Sequence, residues 1–151
     1  MAALEFVDSN VLAYYIFRSE YTEEAARLLA EHEDLATSIR VIDEVVFLSI
    51  RRLALERLGL RRLDKVKAYI SKHGLNFALE KLTILRDVIH DLNIIVLKDV
   101  ASFEELLDTM VKYNLTPSDA LVALTCRHHN IKTILTFDQD FKRVPWLKVV
   151  P

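Results

Sequence analysis

The stretch from Leu115 to Phe141, LTPSDALVALTCRHHNIKTILTFDQDF, constrains the fold more than any other part of the chain. Thr116-Pro117-Ser118-Asp119 is a helix start, with a hydroxyl at the cap, proline at the first helical position, and an acid at the third that reaches back to the cap. Ala120, Leu121, Ala123 and Leu124 carry the apolar run, and the helix closes on Arg127-His128-His129-Asn130, where Asn130 suits a left-handed position. Lys132 to Phe137 then reads as a short buried strand, and Asp138 follows it at once. A helix feeding a buried strand that ends in a carboxylate is a fragment of a βαβ arrangement. In such sheets ligands bind beyond the carboxyl ends of the strands.

The rest of the chain extends this alternation. Leu4–Val7 reads as a strand ended by Asp8-Ser9-Asn10, and Val11–Arg18 as a helix capped by one of those three. Tyr21–His32 is an amphipathic helix with Thr22 as cap, Leu35–Ser38 a second strand, and Val41–Leu58 a long, largely apolar helix. The Gly59-Leu60 break precedes a helical pair, Arg61–Lys72 and Leu75–Leu92, that looks like an addition to a minimal alternating core. Ile94–Leu97 is a third strand, Ser102–Tyr113 a helix capped by Ser102 with Glu105 three residues on, and Leu147–Val150 a last strand. The expectation is an α/β fold: a three-layer α/β/α sandwich around a mostly parallel sheet of about five strands, plus the helical pair.

Residues 1–151 fit one domain with the pair 59–92 inside it, and two glycines and three prolines leave little room for long irregular loops. Twenty Lys and Arg against twenty-two Asp and Glu give a net charge of −2, so any nucleic-acid surface must be local. A lone cysteine, Cys126, excludes an internal disulfide and fits a reducing compartment. The first apolar run contains Glu5 and Asp8, unlike a signal peptide, and no stretch approaches the roughly 20 apolar residues of a membrane span. These features predict a soluble, cytoplasmic protein.

Four acids stand out. Asp8 and Asp138 follow strands, and neighbouring parallel strands, about 4.8 Å apart, would bring them together. Asp119 opens a helix on the same edge, while Glu44 shares a helix face with Val41 and Leu48, where a carboxylate is costly unless paired or metal-bound. Taken singly, Asp8 and Asp119 also serve as helix caps and Asp138 as a turn residue. Converging acids without matching bases call for a hard divalent cation, Mg²⁺ or Mn²⁺. No His or Cys has zinc spacing, since the adjacent His128 and His129 point to different helix faces. Asp99 and Asp140 lie near the same edge and are read as surface residues.

Phe6-Val-Asp8-Ser-Asn10, Ser38 with Glu44 six residues on, Ser118-Asp119-Ala120 and Thr136-Phe-Asp138-Gln-Asp-Phe141, in that order and context, resemble the PIN domain over essentially the whole chain. The VapC-like toxins are the branch most alike. That resemblance implies that Asp8, Glu44, Asp119 and Asp138 form an acidic metal-binding and catalytic quartet. It makes Asn10 and Thr136 polar supports and implies Mg²⁺- or Mn²⁺-dependent cleavage of RNA. It further implies a homodimer and an antitoxin partner.

Between Arg51 and Lys72 eight basic residues meet only Glu56 and Asp64, a pattern that suits phosphate contact or a solvated helix face. Arg40, Arg51, Arg52, Lys142 and Arg143 are the candidates for touching RNA. Two other readings stay open at this stage: a PIN nuclease in RNA maturation or decay, and a non-catalytic module that binds RNA or protein. A phosphatase of the haloacid-dehalogenase kind would want an Asp where Asn10 stands.

Overall fold

The computed structural model describes residues 3–151. Five strands, β1 (Glu5–Val7), β2 (Leu35–Ser38), β3 (Ile95–Leu97), β4 (Thr133–Leu135) and β5 (Lys148–Val150), form one sheet in the order β3-β2-β1-β4-β5. Every pairing is parallel. Seven α-helices surround it: α1 (Ser9–Ile16), α2 (Thr22–Glu31), α3 (Ile39–Leu58), α4 (Leu63–His73), α5 (Leu79–Asp91), α6 (Phe103–Tyr113) and α7 (Pro117–His128). A 3₁₀ turn, Gln139–Arg143, joins β4 to β5.

Successive residues of a strand point to opposite faces, so a strand buried at every position must be covered on both sides. All four residues of β2 are buried, as are Phe6 and Val7 of β1 and Ile134 and Leu135 of β4. That pattern makes the three layers expected from the sequence. The core gathers Phe6, Leu12, Val45, Ile134 and Phe141.

Element ends follow local chemistry. Ser38 caps α3 by accepting from the Val41 N–H at 3.4 Å, so this helix begins two residues before the expected start. Gly59 closes it at φ 67°, a left-handed conformation that favours glycine. Ser102 and Glu105 make both halves of a capping box on α6, and Asn130 takes its expected left-handed conformation at φ 56°.

Two expectations change. Thr22 does not cap α2: its hydroxyl donates to the Tyr14 carbonyl at 2.7 Å, tying α2 to α1. The helical pair is also unequal. Only Val66 of α4 is buried, whereas α5 packs on α1 and α3 and places Leu85 and Ile89 in the core. Among the described residues no helix is long and apolar enough to cross a membrane.

Candidate active site

In the order β3-β2-β1-β4-β5 the winding reverses between β1 and β4. A parallel sheet opens a crevice at that point, beyond the carboxyl ends of the strands. Register fixes what stands there. Val7 pairs with Leu135, so the next residues, Asp8 and Thr136, sit level with each other. The Thr136 hydroxyl donates to Asp8 Oδ2 at 2.7 Å, and the Ser9 N–H donates to Asp8 Oδ1 at 2.8 Å. Asn10 braces the same point: its Nδ2 donates to Thr136 Oγ1 at 3.1 Å and its Oδ1 accepts the Phe137 N–H at 3.1 Å. The Asp138 N–H donates to Thr136 Oγ1 at 3.0 Å, which fixes the turn that presents Asp138. Asn10 and Thr136 are thus bonded to each other, and Thr136 directly to Asp8.

Asp119 and Asp138 come together as expected, with Asp140 as a third member. One carboxylate oxygen from each of Asp119, Asp138 and Asp140 lies within 4.8 Å of the others. Asp140, read from the sequence as a surface residue, has a side chain 49% exposed, yet it stands beside Asp119 and Asp138: Asp138 Oδ1 accepts the Asp140 N–H at 2.9 Å, within the 3₁₀ turn that carries both acids. Asp99 is likewise half-buried, and its Oδ2 accepts the Arg40 N–H at 2.9 Å. The Asp119 N–H donates to the Thr116 hydroxyl at 3.4 Å as expected. Asp119 does not complete a capping box as Glu105 does on α6; its carboxylate faces the other acids. Asp8 and Glu44, the other two predicted acids, lie outside that group of three; Glu44, on α3, accepts from the Ser118 hydroxyl at 3.4 Å, and its charge acts on both Asp8 and Asp119.

The electrostatics agree with this convergence. Burial pushes the Asp8 carboxyl up to about 7, with the charges of Asp119 and Glu44 adding, against hydrogen bonds from Thr136 and Ser9. Asp119 is raised to about 6, by burial first and then by Asp138, with Glu44 and Asp140 contributing and Thr116 opposing. Five carboxylates share the edge of one crevice, and the two arginines bonded within it, Arg40 and Arg143, cannot neutralise them. This all-oxygen donor set fits a hard divalent cation.

Zinc or thiol chemistry finds no footing here. Cys126 is buried and its thiol pushed far up by that burial. His128 pairs with Glu105, and His129 contacts the Lys98 carbonyl.

The basic candidates divide. Arg51 and Arg52 share with Glu44, Phe47, Leu48 and Leu55 the lining of a groove of about 780 Å³ along α3. Arg51 donates to the Arg61 carbonyl at 2.7 Å, and Arg52 pairs with Glu56 at 2.9 Å while lying over the Phe17 ring. Arg143 is tied to Asp140 and to the Asn114 carbonyl, both at 2.8 Å. Lys142 is exposed and has no polar partner among the described residues. Arg40 is joined to Glu44 through Ser118. The sequence offered Ser118 only as part of a motif and Asp140 only as a surface residue, although each stands one or two residues from a predicted acid.

A parallel sheet with acids gathered at its switch point defines a class of α/β proteins built to hold a cation against an anionic ligand. The sequence profile of the PIN domain matches residues 6–147, and the chain belongs to the PIN domain family. Among curated relatives it is 32% identical to Ribonuclease VapC2 of Methanocaldococcus jannaschii over 96% of this chain and 91% of that protein. Its structure resembles that of VapC20 of Mycobacterium tuberculosis, a Sarcin-Ricin loop cleaving toxin, with a TM-score of 0.66 at 20% identity, covering 97% of this chain and 99% of that one. A toxin-antitoxin complex from Klebsiella pneumoniae gives 0.58 at 18% identity, covering 99% and 97%.

Proposed function

We propose that the protein is a metal-dependent endoribonuclease and the toxin of a toxin-antitoxin pair. The observation that carries this reading is the group of Asp119, Asp138 and Asp140 carboxylates, to which Asp8 and Glu44 are coupled electrostatically, with Asp8 and Asp119 raised toward neutrality by burial and by neighbouring acids. In this reading Asp8, Glu44, Asp119 and Asp138 hold Mg²⁺ or Mn²⁺. Bound there, the cation would lower the pKa of a coordinated water and offset charge developing on the phosphate. The chain's own residues do the rest. Thr136, itself held by Asn10, fixes the Asp8 carboxylate through its Oδ2. Ser118 fixes Glu44.

RNA runs over the basic side of the crevice, where Arg51 and Arg52 line the groove beside Glu44, and Lys142 and Arg143 stand beyond Asp140. The exposed basic helix α4 extends the path. An antitoxin partner is supported by the likeness to the Klebsiella complex. A homodimer is supported by the apolar cleft of about 410 Å³ that Ile39, Leu82 and Val96 line next to the edge strand. The protein acts as one unit in the cytoplasm.

The test is incubation of the purified protein with mixed RNA in Mn²⁺ or Mg²⁺, beside EDTA and the variants Asp8→Asn and Asp119→Asn. Cleavage that needs the metal and disappears in both variants is expected. Cleavage that survives in both refutes the assignment of the site.

A further inference from the structure

Arg40 differs from the other basic residues of the crevice in how it is held. It sits on the first turn of α3, four residues before Glu44 and so on the same helix face. Asp99 accepts its backbone N–H at 2.9 Å, which anchors this turn to the segment after β3. The Arg40 Nε donates to Ser118 Oγ at 3.0 Å, and the Ser118 hydroxyl in turn donates to Glu44 Oε2 at 3.4 Å. The guanidinium is thereby aimed along the rim of the acid site by a hydroxyl that also touches one of the acids. Its outer nitrogen Nη1 meets Asp43 Oδ2 at 2.6 Å, and the two side chains are 36% and 64% exposed.

Five carboxylates outnumber what a divalent cation among them would balance, so a fixed cation at the rim would add to the attraction for an approaching phosphate. Arg40 is a cation in that position, and Asp43 holds only its Nη1, a nitrogen that a phosphate could take together with Nη2. An exposed ion pair such as this one is weak, whereas a phosphate accepts from a guanidinium through two parallel bonds.

We propose that Arg40 binds a phosphate of the RNA flanking the cleaved bond, that Ser118 positions it, and that Asp43 is a displaceable counter-ion standing in for that phosphate. This rests on the ribonuclease reading of the acid site. No bond is made or broken in the exchange; one anion replaces another on the guanidinium.

The experiment is steady-state cleavage of a short single-stranded RNA in Mn²⁺ over a salt series by the unaltered protein, Arg40→Gln, Asp43→Asn and the double variant, with thermal melts of each. Arg40→Gln is expected to raise KM about tenfold with a smaller change in kcat, as loss of a charge-assisted contact would. It should also flatten the slope of log KM against log salt by about 0.7, one phosphate contact to a single strand. Asp43→Asn is expected to lower KM severalfold and to lose that effect when Arg40 is already Gln. A purely structural role for Arg40 predicts no gain from Asp43→Asn. An unchanged or raised KM in Asp43→Asn, or a gain that persists in the double variant, overturns the proposal. Because Asp43 is an exposed helix residue, its variant decides the matter even where Arg40→Gln melts early. If the unaltered protein shows no metal-dependent cleavage, the ribonuclease reading falls and this proposal with it. If cleavage depends on Asp8 but KM ignores both Arg40 and Asp43, this proposal alone falls.

Discussion

Replacing Asp8 with Asn should make the metal-free protein more stable above neutral pH, although it alters a residue at the centre of the site. Asp8 is 5% exposed, and burial raises its carboxyl from 3.8 to about 7. As pH rises from about 4 to about 7, the unfolded chain releases this proton while the folded protein keeps it, so stability falls across that window. At about 1.4 kcal/mol per pH unit, the folded protein above about pH 7 carries a penalty of about 4 kcal/mol from this one group. Asn removes the charge and still caps α1, but it offers one acceptor where Asp8 takes bonds from both Ser9 and Thr136, a loss of about 1 kcal/mol. The net gain, about 3 kcal/mol, corresponds to roughly 6–12 °C in Tm for a chain of this size. Thermal melts in EDTA near pH 8 and near pH 5 measure it: the variant should lead at the higher pH, and most of the difference should vanish at the lower. Saturating Mn²⁺ should reverse the order, because a cation held at about 1,000 times its Kd adds about 4.1 kcal/mol to the unaltered protein alone, more than the variant's lead. A variant less stable than the parent near pH 8 in EDTA would refute the argument that burial and repulsion hold Asp8 under strain.

Thr136→Val removes the donor to Asp8 Oδ2 and the acceptor of Asn10 Nδ2 and the Asp138 N–H. It should push the Asp8 carboxyl above about 7 and move the acid limb of the pH–rate profile to higher pH; Thr136→Ser should restore it, and an unmoved limb in the valine variant counts against the contact. Asp140→Asn should weaken Mn²⁺ binding about tenfold by titration calorimetry, and an unchanged affinity would place Asp140 outside the cation site. Ile134→Ala, at a fully buried position of β4, should cost about 2–5 kcal/mol in denaturant unfolding; a loss below 1 kcal/mol would mean that the sheet is not packed on both faces as described.

What the sequence made legible, and what it hid, follow from the range of the interactions concerned. Asp8 and Thr136 were readable because a strand's end and a parallel register are short-range facts: once β1 and β4 are neighbours, pairing of Val7 with Leu135 leaves the next two residues little freedom. Glu44 was readable because an acid on an apolar helix face is costly wherever the helix packs. The nearness of Asp140 to Asp119 was not readable, because it depends on the 3₁₀ turn in which Asp138 accepts the Asp140 N–H, and on α7 lying opposite. Ser118 was hidden for a different reason: its two partners, Arg40 and Glu44, lie on α3, and no local pattern on α7 announces them. The partition of the helical pair was also a tertiary matter. Gly59 and Gly74 punctuate the sequence alike, yet α5 delivers the chain to β3 with Leu85 and Ile89 in the core, while α4 holds on through Val66. A helix so loosely anchored and so basic is free to evolve its outer face without disturbing the sheet. Differences in RNA affinity between relatives should therefore concentrate in α4, and differences in metal affinity at the β1–β4 switch point.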